Sequence, residues 1–176
     1  LRNAGADLKE VVLPGWEQAL GAWVPICSAE IALAHAEVFP ARQDEYGPEL
    51  RDLLARAQQM PALELVRAEQ LRRQFCAGVE DLFGDIDLLL CPTLGVPVPP
   101  RVPDWQDIAL AIALVRFTSP FDLSGNPTLS LPCGFDADGL PLSLQLVARR
   151  GEEAQLYAAG AVWERETPWS RRHPEL

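Results

Sequence analysis

The sequence has 176 residues, 48% of them apolar and 23% charged, and a formal net charge of −10. This is the composition of a folding chain, long enough for one domain or a large piece of one. The acidic balance argues against nucleic acid or an anionic membrane as direct partner, and neither a membrane-length apolar run nor a leader-like opening stands in the sequence.

The chain opens on Leu1, and "LRNAGAD" has the signals of a helix end, with Asn3 and Gly5 as the stop. "DLKEVVLP" then reads as a strand. A domain rarely begins in the last turn of a helix, so the chain is expected to be the C-terminal part of something longer. Trp16, Leu20, Trp23, Cys27, Ile31, Ala34 and Val38 recur at steps of three and four, which predicts a helix over 16–38. Pro25 is expected to kink it or split it. A turn at Tyr46-Gly47 leads into a short helix opened by Pro48. A third helix is predicted over 62–83, with its apolar stripe on Leu65, Ala68, Leu71, Phe75, Val79 and Leu82.

"DIDLLLCPT" reads as a buried strand ended by Pro92, and "LGVPVPPRVPDW" as a stiff, extended connection. "QDIALAIALVRF" looks helical. "NPTLSLPCGF" and "LPLSLQLVAR" read as two strands joined by the tight turn at 136–139, so they should pair as a hairpin. Leu142, Leu144 and Leu146 alternate with Ser143, Gln145 and Val147, which predicts one buried face. A last helix spans 152–166, and "SRRHPEL" is an exposed tail. Interleaved strands and helices make the fold class α/β, a mixed β-sheet with packed helices.

The candidate chemistry is sparse. The histidines are His35, among alanines in the first long helix, and His173, in the tail, and each reads better as a helix-surface or partly packed histidine than as the general base of a serine triad. There is no GxSxG elbow and no glycine-rich phosphate loop. Cys27, Cys76, Cys91 and Cys133 are scattered, without CxxC or ligand-spaced histidine, so zinc and redox roles are disfavoured and a reducing, cytoplasmic setting is the default. Glu30, Glu37, Asp44 and Glu45 cluster loosely and read as a solvated helix face and loop. No cofactor is expected, and the residues alone do not form a complete catalytic constellation.

The stretch "FTSPFDLSGNPTLSLPCGFDADGLPLSLQLVARRGEEAQLYAAGAVWERETPW" resembles the C-terminal portion of the amidase signature enzymes. "LRNAGADLKEVVLP", "AEIALAHAEVF", "DEYGPELR" and "FGDIDLLLCPT" are similar to the same family in the same order, so the resemblance covers essentially residues 1–176, as a partial amidase domain with no second domain. It implies amide hydrolysis by a Ser–Ser–Lys triad, in which a second serine relays the proton to a lysine kept neutral by burial. The triad belongs to a Gly/Ser-rich segment of the family's N-terminal half. This chain has no Ser-Ser pair, and Lys9 is its one lysine. No catalytic residue is therefore assigned, and the partners implied are that missing half and a small-molecule amide substrate, with self-association left open.

The resemblance also names pocket-wall positions. Ile112 and Val115 stand three apart on the helix before "FTSP", hence on one face. Arg116 and Thr118 are candidates for the rim. In the glutaminyl-tRNA-forming branch the Val115 position is acidic and reads an amino group. Valine cannot bind an ammonium ion, which favours apolar acyl amides over the substrate of a glutamine amidotransferase. The plain alternative is that Ile112 and Val115 are core. A third reading makes the chain a non-catalytic remnant or partner-binding module. Asp122 and Asn126 depart from the family pattern, which usually has Asn at the first position and often His or Leu at the second.

Overall fold

The computed structural model describes residues 1–99 and 107–172. After a single 3-10 turn at Arg2–Ala4, closed by Gly5 at φ 91°, residues 6–13 form no regular element. The predicted helix end is thus a turn. The predicted strand over "DLKEVVLP" is not a strand, because no other strand of the described residues pairs with it.

Helix α1 (Trp16–Ala34) starts from Gly15 at φ 80° and passes through Pro25 without being split. Proline at 25 leaves the Gly21 carbonyl without its helical donor. Gly21 is exposed, so water can take the donor's place. The helix stops at His35, short of the expected Val38. There the His35 Nδ1 lies 2.9 Å from the Tyr46 hydroxyl, which pins the following loop. Helix α2 (Pro48–Ala57) has proline in its first turn, as expected, and α3 (Ala62–Leu82) buries Ala68, Phe75 and Val79 from the predicted stripe.

Strand β1 (Leu88–Pro92) is followed, past the residues not described, by α4 (Ile108–Val115). The proline-rich connection lies partly outside the described residues. Helix α5 (Ser119–Ser124) has no counterpart among the expected elements. Pro120 fixes its first turn and Gly125 at φ 68° ends it, so it is too short to show a period. Strands β2 (Thr128–Phe135) and β3 (Pro141–Ala148) form the predicted hairpin. In its turn the Asp136 carboxylate accepts from the Asp138 and Leu140 amides at 3.0 and 2.8 Å, and Gly139 takes φ 79°. Helix α6 (Glu153–Glu166) and a short turn over Trp169–Arg171 close the described chain, with Arg172 over the Phe135 ring at 4.5 Å. His173 and the rest of the tail lie outside the described residues.

The α/β architecture is as expected, although the three strands described, in the order β1-β3-β2, all pair antiparallel. β3 is central, which corrects the reading of one buried face: Gln145, Leu146, Val147 and Ala148 are all buried. Val147 and Leu89 join the core formed with α1, α3 and α5, while Leu146 and Ala148 join Leu131 and Leu156 under α6. A strand covered on both faces loses its polar–apolar alternation. β1 is the converse. It is expected to be buried, yet only Leu89 is, because β1 is an edge among the described strands. Each fully buried Phe or Val in these layers contributes about 1.5–3 kcal/mol.

Candidate functional site

Asp107 caps α4, its carboxylate accepting from the Leu110 amide at 3.1 Å. The helix delivers Val115 to a tight junction with α5. There the Thr118 amide and hydroxyl both donate to the Val115 carbonyl, at 3.1 and 3.3 Å. Residue 95 closes the other side: the Gly95 amide donates to the Ala113 carbonyl at 3.1 Å, and a Cβ there would sit 2.8 Å from that oxygen. Only glycine permits this approach.

The junction is anchored from β3. Gln145 is 1% exposed, and its Nε2 donates to the Phe117 carbonyl at 2.7 Å and toward the Cys91 sulfur at 3.4 Å. One side chain thereby ties the central strand to the α4–α5 junction and to β1. The sequence reading places Gln145 on a polar face and misses this. The available signal is a glutamine between leucines in a strand that proves to be central. Asn126 does similar work nearby, its Nδ2 donating to the Ala148 carbonyl at 2.8 Å.

The four predicted wall positions separate. Val115 and Thr118 are half-buried and share the junction, whereas Ile112 projects outward at 46% exposure. Arg116 forms an ion pair with Glu17 on α1. With Phe117 it borders a cleft of about 990 Å³ between residues 5–11 and β1, a cleft that Ile112, Val115 and Thr118 do not line. Lys9 stands on that cleft, exposed.

The electrostatics disfavour Cys27, Cys91 and Cys133 as thiol nucleophiles. Burial pushes the Cys91 thiol up, and the Gln145 hydrogen bond opposes this only partly. Burial also raises Cys27, helped by Glu30 and Asp122, and it raises Cys133. Raised thiols stay protonated and unreactive near neutral pH. Loss of hydration raises the Asp122 carboxyl, against a hydrogen bond from Trp23. Among the described residues, no group of three or more His, Cys, Asp or Glu could hold a metal, and no helix is long and apolar enough to cross a membrane.

Comparison with known proteins sets this geometry in context. An amidase of Pseudomonas putida is 34% identical over 182 residues, covering 100% of this chain and 39% of its own length. A glutamyl-tRNA(Gln) amidotransferase chain of Chloroflexus aggregans is 31% identical over 202 residues, covering 100% and 41%. The solved structure of 6-aminohexanoate cyclic dimer hydrolase superposes with a TM-score of 0.82 at 25% identity, over 99% of this chain and 40% of that one. The chain thus spans roughly two-fifths of the length of these relatives. The amidase family profile matches residues 1–157, and the chain belongs to the amidase family.

Proposed function

We propose that this chain is the pocket-wall portion of an amide hydrolase that cleaves carbon–nitrogen bonds other than peptide bonds, in small amides with an apolar acyl group. Family membership supports the reaction class. The observation that carries the substrate reading is Val115, held at the end of α4 by two hydrogen bonds from Thr118 and offering an aliphatic surface with no carboxylate. In this reading the exposed Ile112, one turn earlier on α4, extends the wall, and Thr118 and Arg116, the latter paired with Glu17, form its rim. The nucleophilic serine, the relaying serine and the lysine base come from the part of the family fold that this chain does not span.

The amidotransferase reading has one support, the similarity to the Chloroflexus aggregans chain, and one objection, the same valine. The test is kinetic and uses the intact gene product. Aliphatic acyl amides should be hydrolysed through a serine acyl-enzyme, in preference to glutamine. Val115→Ala should lower kcat/KM for a bulky acyl amide by about tenfold, the worth of a methylene or two in an apolar pocket. A bulky-to-small substrate ratio unmoved by that change removes Val115 from the wall. Glutamine-dependent ammonia release revives the amidotransferase. Absence of any amide hydrolysis leaves the non-catalytic binding module.

A further inference from the structure

The sequence holds one Asp-Gly pair, Asp138-Gly139. Every other aspartate is followed by a residue with a side chain, and Asn3 and Asn126 are followed by alanine and proline. An aspartate side chain can close a five-membered ring on the amide nitrogen of the next residue. A side chain on that next residue hinders the attack, and glycine has none. The pair stands exposed at the tip of the β2–β3 hairpin.

The fold itself demands this pair. The Gly139 amide donates to the Asp136 carbonyl at 3.1 Å, which closes a four-residue turn over 136–139. Among the described residues only glycines take positive φ, so Ala137 and Asp138 both have negative φ and the turn is type I. Gly139 follows at φ 79°, in the left-handed region that favours glycine. The Asp136 amide then donates to the Leu140 carbonyl at 2.9 Å, and the ladder begins at Phe135↔Pro141. A left-handed residue after a type I turn is what brings the second strand back in register. The residue that the hairpin needs at 139 is thus the one that leaves Asp138 open to ring closure.

The same turn opposes that closure. The third residue of a type I turn has ψ of about 0°, which keeps its side chain off the face of the following nitrogen. Closure requires the bond to rotate, and Asp136 clamps both sides of it. Its carboxylate accepts from the Asp138 and Leu140 amides at 3.0 and 2.8 Å, while its carbonyl holds the Gly139 amide between them.

We propose that Asp138 is a site of slow spontaneous isomerisation and that Asp136 is its guard. The Gly139 nitrogen bonds to Cγ of the neutral Asp138 carboxyl, whose hydroxyl leaves with the amide proton as water, giving a succinimide. A water then opens the ring. Attack at Cγ restores the aspartate. Attack at the main-chain carbonyl carbon sends the backbone through Cβ and Cγ and leaves the former main-chain carboxyl as the side group, an isoaspartate. One water is released and one consumed, and nothing is oxidised or reduced. The product lengthens the backbone by one atom at the tip, which the tight turn between Phe135 and Pro141 has no room to absorb.

Peptide mapping of the intact gene product after weeks in mildly acidic buffer tests this. Aspartyl and isoaspartyl peptides have equal mass but separate by chromatography, and an aspartate-specific protease cuts only before the former. The native protein should isomerise at Asp138 at least about tenfold more slowly than the same protein in guanidinium chloride, because closure needs local opening of the turn. Asp136→Ala removes the two side-chain bonds and should speed the native reaction by about tenfold. Asp136→Asn keeps an oxygen that accepts both amides and should stay within about twofold of the parent. Gly139→Ala should suppress the product even in guanidinium chloride. Equal rates in the native and denatured protein overturn the guard, and no isoaspartate at 138 in either overturns the site. An Asp136→Ala protein as slow as the parent leaves the protection to the backbone turn and overturns the part assigned to Asp136.

Discussion

Two strand-like stretches, "DLKEVVLP" at 7–14 and "PLSLQLVA" at 141–148, meet opposite fates in this molecule. The second becomes the central strand, paired on both sides and covered on both faces. The first makes no ladder among the described residues. Both are rich in Val and Leu, although only the second alternates in polarity along part of its length. What separates them is supply of partners. β2 reaches β3 through a short turn and β1 pairs on its other side, whereas the segment 7–13 finds only a cleft facing it. Strand propensity states how well a side chain fits a pleated surface, and the neighbours decide whether the surface exists.

The sharpest way to break this comparison is to place the same charge in both stretches. Val147 is 0% exposed and Val12 is 84% exposed. Val147→Asp buries a carboxylate in an apolar layer without a partner, and should cost several kcal/mol, enough to abolish a cooperative urea transition in this chain. Val12→Asp should move the transition by about 0.5 kcal/mol or less. Comparable losses at the two positions would mean that the 7–13 segment is as firmly built into the fold as β3.

A smaller effect sharpens the comparison at the site. Gln145 lies on β3 but serves the α4–α5 junction, so its loss should damage a loop more than the sheet. Gln145→Leu keeps the bulk and leaves the Phe117 carbonyl without its donor, a cost of about 1–3 kcal/mol. Amide exchange should rise around 116–119 before it rises in β2. Uniform loosening of the whole sheet would instead make Gln145 a packing residue.

The same contrast marks what can be read in the sequence. The hairpin is legible because its turn is specified locally, by the Asp136 carboxylate and a left-handed Gly139. The α3 stripe is legible because a long helix repeats its period many times. Gln145 is not, since its role depends on which strand lies at the centre, and order within a sheet is not written along any one strand. The segment 6–13 misleads for the same reason. Pro25 misleads because the exposure of Gly21 that makes it tolerable is a tertiary fact. Of the candidate site, the Val115–Thr118 junction is held together and Arg116 is drawn away to Glu17, an ion pair 99 positions apart in sequence that no local pattern encodes.

The smallest prediction concerns Asp122, which borders a shallow hollow of about 160 Å³ with Trp23, Cys27, Glu30 and Arg72. Dehydration raises its carboxyl in the folded chain, and the Trp23 bond lowers it again only in part. The folded state therefore holds the proton more tightly than the unfolded state. The sign follows from linkage: this group favours folding below the ordinary carboxylate range, and that contribution is lost as pH rises through the folded value. At neutral pH the charge opposes folding. Asp122→Asn keeps the size of the side chain and removes the charge, so its urea midpoint should exceed that of the parent at pH 7. The gap should close as pH falls to about 3, where the aspartic acid is neutral as well. The effect should be small, because the side chain is largely open to water and solvent screens it. A gap that stays constant from pH 3 to pH 7 would trace the difference to local packing against Trp23 and leave the carboxylate's charge without a role in holding α5 against α1.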